Sequence, residues 1–283
     1  MISERRVLIL FEGKTDRKCL DSLRCLGTFN SLLLQGQYTP VQLNTSIYEL
    51  YDPLIQSGEY DSLPVYLCHK GLLKCPENVR PQDMFALIYL IFDFDPLYHL
   101  YNPEKIRGLQ RYFSDETKNG LLYINYPMVE SLFDVEEKDG EFFITPTRPL
   151  SLCSSSAYKS TIKKQTPFRS NSGHALHILP PEDFAIVARA SLARYREILE
   201  SADAKWTLTD ISALLESEIK ATEGEIIYPL SCFPFMALDY NAEEALEEWN
   251  SLVESPKGVA RKTATPCLLI DLPSLDNVVS FKS

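Results

Sequence analysis

The chain has 283 residues, of which 45% are hydrophobic and 24% are charged, and these fractions are close to the averages of globular proteins. They exclude a wholly disordered or fibrous protein, and the length suffices for one large domain or a core domain with an appendage. The net charge of −11 excludes a surface that binds nucleic acid by bulk electrostatic attraction, because neutralising phosphates requires clustered Lys and Arg. Any polyanion would therefore be held locally or through a metal ion.

The sequence also argues against membrane insertion and secretion. The longest apolar run, residues 84–92, is too short to cross a bilayer. The N-terminus lacks the apolar stretch that a secretory signal requires after its charged residues. We therefore expect a cytoplasmic protein without membrane contact. Its seven cysteines include no Cys-x-x-Cys pair, so we predict buried free thiols.

Predicted strands alternate with predicted helices from the start of the chain. The aliphatic run 6–11 predicts a strand that is buried on both faces. After a tight turn, Thr15 can cap a helix that Gly27 would end. Apolar spacing then predicts a helix over residues 45–56, and residues 64–69 favour a short strand.

The clearest buried strand covers residues 85–92. Pro96 follows soon after it and prevents the strand ladder from continuing. A helix over residues 103–117 and a strand over residues 121–126 come next. Because strands and helices alternate, we predict an α/β fold with a mostly parallel sheet flanked by helices.

The pattern changes in the second half of the chain. A strand is predicted over residues 141–145, and the Ser- and Lys-rich stretch 151–172 favours a long loop or insertion. The remaining part is mainly helical, with predicted helices over residues 182–201, 207–221 and 242–253. We therefore divide the chain into a core, residues 1–139, and a second region, residues 140–283, in which a strand and a loop insertion precede helices and which could bind a substrate or a partner.

Three carboxylates stand where predicted strands end. Glu12 follows the first strand, and Asp93 and Asp95 follow the strand over residues 85–92. The carboxyl ends of parallel strands meet at one sheet edge, and the two aspartates would share a face if extended geometry persisted. An all-oxygen ligand set favours Mg²⁺ over Zn²⁺. The alternative is a pair of solvated aspartates in a turn and an acid that favours a helix N-terminus.

Residues 11–16 (FEGKTD) and residues 92–95 (FDFD) together resemble the motifs of the TOPRIM superfamily. That superfamily includes the DnaG-type primases, topoisomerases, ribosomal-RNA maturases and OLD-type nucleases. Its members carry a strand, a Glu-Gly turn and a helix, and a later strand that ends in Asp-x-Asp. The resemblance covers residues 6–130 and implies a TOPRIM-like sheet there.

The resemblance also implies roles for individual residues. Glu12 would be the general acid or base. Asp93 and Asp95 would hold Mg²⁺, for which Mn²⁺ could substitute. Asp16, one helical turn beyond Glu12, and Lys14 would support the site.

A narrower resemblance involves residues 124–131 (INYPMVES). They look like the later acidic motif of TOPRIM effectors in bacterial phage-defence systems, such as the OLD-related and PARIS-type nucleases. This would make Glu130 a further carboxylate of the catalytic and metal-binding site, together with Glu12, Asp93 and Asp95. The alternative is that Glu130 only begins a helix, where an acid in the first turn is favourable.

One basic stretch without acids could contact nucleic acid. Its cations could bind phosphates, while the interleaved Tyr158 and Phe168 could stack on bases. The cations are Lys159, Lys163, Lys164 and Arg169. The alternative is a solvated loop.

The resemblance implies a Mg²⁺-dependent nuclease that cleaves phosphodiester bonds in DNA or RNA, with tRNA as one candidate, in anti-phage defence. The acidic net charge adds the expectation of a partner protein that controls activity by positioning the substrate. A homo-oligomer is compatible with these features. Two alternatives stay open: a non-catalytic interaction or regulatory protein, and a phosphotransfer enzyme acting on small substrates.

Overall fold

A computed structural model describes residues 6–34, 37–75, 77–138, 141–168, 179–199 and 208–254. Its centre is a five-stranded sheet with the strand order β2-β1-β3-β5-β4. The strands are β1 (Val7–Phe11), β2 (Tyr38–Gln42), β3 (Leu87–Asp93), β4 (Ser114–Asp115) and β5 (Gly120–Asn125). β4 is antiparallel to β5, and the other three pairings are parallel. The predicted α/β fold with a mostly parallel sheet is thus confirmed.

β1 lies inside this sheet, between β2 and β3, and its sequence is apolar throughout. All five of its residues are buried, as expected for a strand covered on both faces. Phe11 is in register with Ile91 of β3, and Phe92 of β3 is in register with Ile124 of β5. The carboxyl ends of the three strands therefore lie side by side.

Besides the central sheet, the described residues form eight α-helices and four further strands. The helices are α1 (Lys14–Leu23), α2 (Gly27–Leu32), α3 (Leu63–His69), α4 (Pro103–Tyr112), α5 (Ser155–Gln165), α6 (Pro181–Ile198), α7 (Leu208–Glu223) and α8 (Phe233–Glu254). The strands are β6 (Val135–Lys138), β7 (Glu141–Ile144), β8 (Arg148–Pro149) and β9 (Ile226–Ile227). They form two small antiparallel sheets, β6-β7 and β8-β9.

Three sequence predictions in the first half are wrong in detail. Gly27 begins α2 instead of ending α1. Residues 64–69 belong to the helix α3, not to a strand, because Leu63 and Leu67 lie one turn apart and are both buried. The predicted helix over residues 45–56 is a 3-10 turn followed by a π-helical turn that contains Pro53.

The predicted long loop over residues 151–172 contains the helix α5. Tyr158 and Ile162 lie one helical turn apart and are both buried, so packing stabilises this helix despite its polar sequence. The rest of the predicted loop beyond residue 168 lies outside the described residues.

The predicted helices of the second half correspond to α6, α7 and α8. α8 begins earlier than predicted and is broken at Asn241, whose side-chain oxygen accepts a hydrogen bond from the N–H of Glu244 at 3.3 Å. No described helix combines the length and the apolar character that crossing a bilayer demands. Cys68 and Cys75 form a disulfide, which differs from the predicted free thiols.

Candidate metal centre

The candidate site lies at the carboxyl edge of the central sheet. Glu12 follows β1, Asp93 is the last residue of β3, and Asn125 is the last residue of β5. The backbone N–H of Glu12 donates to the carbonyl oxygen of Ile91 at 3.1 Å, so β1 stays paired with β3 up to the site. Open parallel sheets bind ligands at this edge.

The Glu12 side chain reaches across to β3. Its Oε2 accepts a hydrogen bond from the backbone N–H of Asp93 at 3.1 Å. Burial raises the pKa of Glu12 to about 8, with the charges of Asp16 and Asp95 adding to the rise and the Asp93 N–H opposing it. A carboxyl group with such a pKa exchanges its proton near neutral pH.

Asp16 lies in the first turn of α1 and is 3% exposed. Its Oδ2 accepts a hydrogen bond from the N–H of Gly13 at 3.1 Å, which fixes the turn between β1 and α1. Its Oδ1 is buried without a hydrogen-bond partner among the described residues. Burial, together with the charge of Glu130, raises the pKa of Asp16 to about 7. Asp16 is thus a buried member of the site. Lys14, on the same helix, is exposed.

Asp93 connects β3 with the segment that follows β5. Its Oδ1 accepts a hydrogen bond from the backbone N–H of Val129 at 2.8 Å. Burial raises the pKa of Asp93 well above its usual range, and the charges of Asp16, Glu12 and Glu130 raise it further. The three other carboxyl groups are therefore close enough to act on Asp93.

Asp95 does not extend the strand geometry. β3 ends at Asp93, and Asp95 has a positive φ of 33°. Its backbone N–H donates to the carbonyl oxygen of Pro127 at 3.1 Å. The premise that Asp93 and Asp95 share one face of an extended strand is therefore wrong. The half-buried Asp95 still interacts with the site, since its charge raises the pKa of Glu12.

Glu130 lies in a 3-10 turn, Val129–Phe133, that follows β5. It is 5% exposed, and its Oε1 forms an ion pair of 3.3 Å with the Lys159 ammonium from α5. Its Oε2 is buried without a partner among the described residues. Burial raises the pKa of Glu130, and Lys159 opposes that rise. The charge of Glu130 also raises the pKa of Asp16 and of Asp93.

The three cations of the basic stretch that the structure describes do not form one surface. Lys159 faces the carboxylates, whereas Lys163 and Lys164 are exposed in the last turn of α5. Arg169 lies outside the described residues. Tyr158 is fully buried and Phe168 is 8% exposed, so the prediction that these two rings are open to stacking bases is wrong.

Sequence reasoning assigned no role to Asn125. Its Oδ1 accepts hydrogen bonds from the N–H of Cys232 at 3.1 Å and from the hydroxyl of Ser231 at 3.3 Å. It is also in register with Asp93. The sequence signal for Asn125 was its position at the end of β5. It anchors the start of α8 beside the site.

The donor chemistry of the site fits a hard divalent cation. The buried, unpartnered Oδ1 of Asp16 and Oε2 of Glu130 are costly to leave unsatisfied, and carboxylate oxygens are the ligands that Mg²⁺ prefers. No three His, Cys, Asp or Glu side chains of the described segments are already arranged as ligands of one ion. No protein-family model, curated protein or solved structure matches the chain.

Proposed function

We propose that the chain is a Mg²⁺-dependent nuclease of TOPRIM type. The observation that carries this proposal is the convergence of Glu12, Asp16, Asp93 and Glu130 at the carboxyl edge of a parallel sheet, with two buried carboxylate oxygens unpartnered. Like charges in a buried site are unfavourable without a cation. The resemblance of residues 11–16, 92–95 and 124–131 to TOPRIM motifs supplies the family and the reaction.

The proposed roles follow from the hydrogen bonds of each group. Asp93, Asp95 and Glu130, with Asp16 beside them, would hold the cation. When bound, Mg²⁺ would neutralise the charge of a phosphodiester and polarise its reacting oxygens. Glu12 would move the proton, since its Oε2 is held by the Asp93 N–H and its pKa of about 8 is suited to proton transfer near neutral pH.

The resemblance to defence effectors supplies the proposed substrate and setting. DNA and RNA, including tRNA, are the candidate substrates, and phage defence is the candidate role. Lys163 and Lys164 are exposed on the same helix as Lys159 and remain candidate phosphate contacts. The net charge of −11 favours a partner that brings the nucleic acid to the site.

Cleavage of DNA and RNA with Mg²⁺ or Mn²⁺ tests the proposal. We expect Glu12→Gln to lower the cleavage rate at least about 100-fold, the usual scale for loss of a general acid-base group. Asp93→Asn should lower the rate by about the same factor, because it removes a carboxylate that would hold the cation. Glu137→Gln and Asp61→Asn are matched controls, since both side chains are exposed, and they should cleave at the wild-type rate.

Unchanged cleavage by the Glu12 and Asp93 variants would contradict the assignment of the site. Turnover of a generic phosphate ester that is lost in Asp93→Asn, without cleavage of nucleic acid, would instead favour phosphotransfer on small substrates. Both assays use the full chain, and folding of each variant is checked by circular dichroism.

A further inference from the structure

One positively charged side chain, Lys159, lies beside the carboxylates of the candidate metal centre. In the residues that the structure describes, the sole ion pair made by any of them is Glu130 with Lys159, at 3.3 Å. Burial raises the pKa of every carboxyl group of the site, and the Lys159 ammonium opposes the rise at each one: Glu12, Asp16, Asp93, Asp95 and Glu130. A single ammonium group thus faces the whole cluster.

The position of Lys159 is set by its neighbour on α5. The hydroxyl of Tyr158 donates to the Oδ2 of Asp134 at 2.8 Å, and Asp134 is 1% exposed. Asp134 directly follows the turn that carries Glu130, and Arg148 holds its other oxygen at 2.6 Å. A buried network therefore ties α5 to the Glu130 turn and holds the backbone of Lys159 near the carboxylates.

The Lys159 side chain can also leave this position. It is 44% exposed, whereas the Glu130 side chain is 6% exposed. A lysine has a long, flexible stem, so its ammonium can move into water while the backbone of α5 stays fixed. Three of the carboxylates, in contrast, are held by backbone N–H groups: Asp16 by that of Gly13, Glu12 by that of Asp93, and Asp93 by that of Val129.

We propose that Lys159 is an internal cation that occupies the acidic site in the metal-free protein, and that Mg²⁺ binds by displacing its ammonium. This inference rests on the proposed function, because it concerns the same site. It assigns Lys159 a regulatory role: the ammonium sets the Mg²⁺ concentration at which the site fills. Coulomb repulsion between the ammonium and a nearby divalent ion, in a site of low polarity, supplies the competition.

Calorimetric titration of the EDTA-treated full chain with Mg²⁺ tests this role. We expect Lys159→Met to bind Mg²⁺ at least about tenfold more tightly than the wild type, since removing the competing charge lowers the cost of filling the site. Lys159→Arg keeps the charge and should bind like the wild type. Lys138→Met removes an exposed lysine from β6 and should also leave the affinity unchanged.

The outcomes separate this inference from the proposed function. Wild-type binding with equal or weaker binding by Lys159→Met overturns the internal-cation role and leaves the metal site intact. Absence of Mg²⁺ binding in both proteins overturns the metal site and the inference together.

A second measurement uses the wild-type chain, so it does not depend on the folding of a variant. Acetylation of lysines is followed by mass spectrometry with and without Mg²⁺. We expect Lys159 to react several-fold faster when Mg²⁺ is present, with Lys138 as the internal standard. An unchanged rate at Lys159 at saturating Mg²⁺ overturns the displacement.

Discussion

Glu218 is a fully buried carboxyl group on α7. Its Oε2 accepts a hydrogen bond from the N–H of Tyr228 at 3.1 Å. Its Oε1 and the hydroxyl of Tyr126 are both buried without a partner among the described residues. Burial raises the pKa of Glu218 well above its usual range, and the N–H of Tyr228 and the charge of Arg194 oppose that rise.

This carboxyl group makes stability depend on pH. In the unfolded chain Glu218 loses its proton near pH 4.5, whereas the folded chain keeps it to a much higher pH. The stability that the protonated form contributes is therefore full below pH 4.5 and is lost as the pH rises towards the folded pKa. We expect urea denaturation to show that Glu218→Gln gains stability relative to the wild type between pH 5 and pH 8. An unchanged difference across that range would contradict a buried, protonated Glu218.

The residues of the candidate site were predictable to different degrees. Glu12 and Asp93 could be placed at one sheet edge because strand ends are visible in the sequence. The ion pair of Glu130 with Lys159 depends on how α5 packs, and no local pattern encodes that contact. The sequence did not indicate this pair, because Glu130 and Lys159 are 29 positions apart in the chain and were assigned to different predicted regions.

At the scale of elements, Gly120 fixes how β5 begins. Its φ is +118°, and a Cβ atom there would lie 2.6 Å from Leu90 Cδ1 and 3.0 Å from Ile88 Cγ2. The side chains of Leu90 and Ile88 on β3 therefore occupy the space that a Cβ atom at residue 120 would need. Glycine allows both this backbone conformation and this close approach.

Replacing Gly120 tests that packing. We expect Gly120→Ala to lower the free energy of unfolding by about 1–3 kcal/mol through backbone strain and by about 1–3 kcal/mol more through overpacking. Gly58→Ala is the matched control, because its φ is +60° and no atom lies within 4 Å of the added Cβ. Urea denaturation should show the larger loss at Gly120, and equal losses would argue against the close contact with β3.

Elements with strong apolar patterns were predictable, and weakly patterned ones were not. β1, β3 and β5 are nearly continuous apolar runs, so composition alone indicates buried strands. β2 was missed because it is a short edge strand that contains Pro40. α5 was missed because only Tyr158 and Ile162 of its residues mark a buried face, and the remaining polar residues favour a loop.

At the scale of the whole molecule, aromatic contacts join the two regions that the sequence predicted. The ring of Phe29 on α2 lies 5.6 Å from that of Phe184 on α6, which lies 6.1 Å from that of Trp249 on α8. The buried core runs without interruption from Val7 to Val253 among the described residues. We therefore expect the two regions to unfold together.

Trp249→Ala tests this cooperativity. Trp249 is 1% exposed, and its truncation should lower the free energy of unfolding by about 3–5 kcal/mol. Hydrogen exchange should accelerate in β1 and in α6 alike. Tyr240→Ala, on the same helix but 40% exposed, should change exchange in neither. Acceleration confined to the second half would show that the predicted core folds independently.

The two edges of the central sheet determine how it can meet other chains. On one side, Pro40 in β2 has no N–H to offer an incoming strand. On the other side, β4 has only two residues. Neither edge presents a long row of unpaired backbone groups, and such rows are what template aggregation and strand exchange. Self-association by extension of the central sheet is therefore disfavoured.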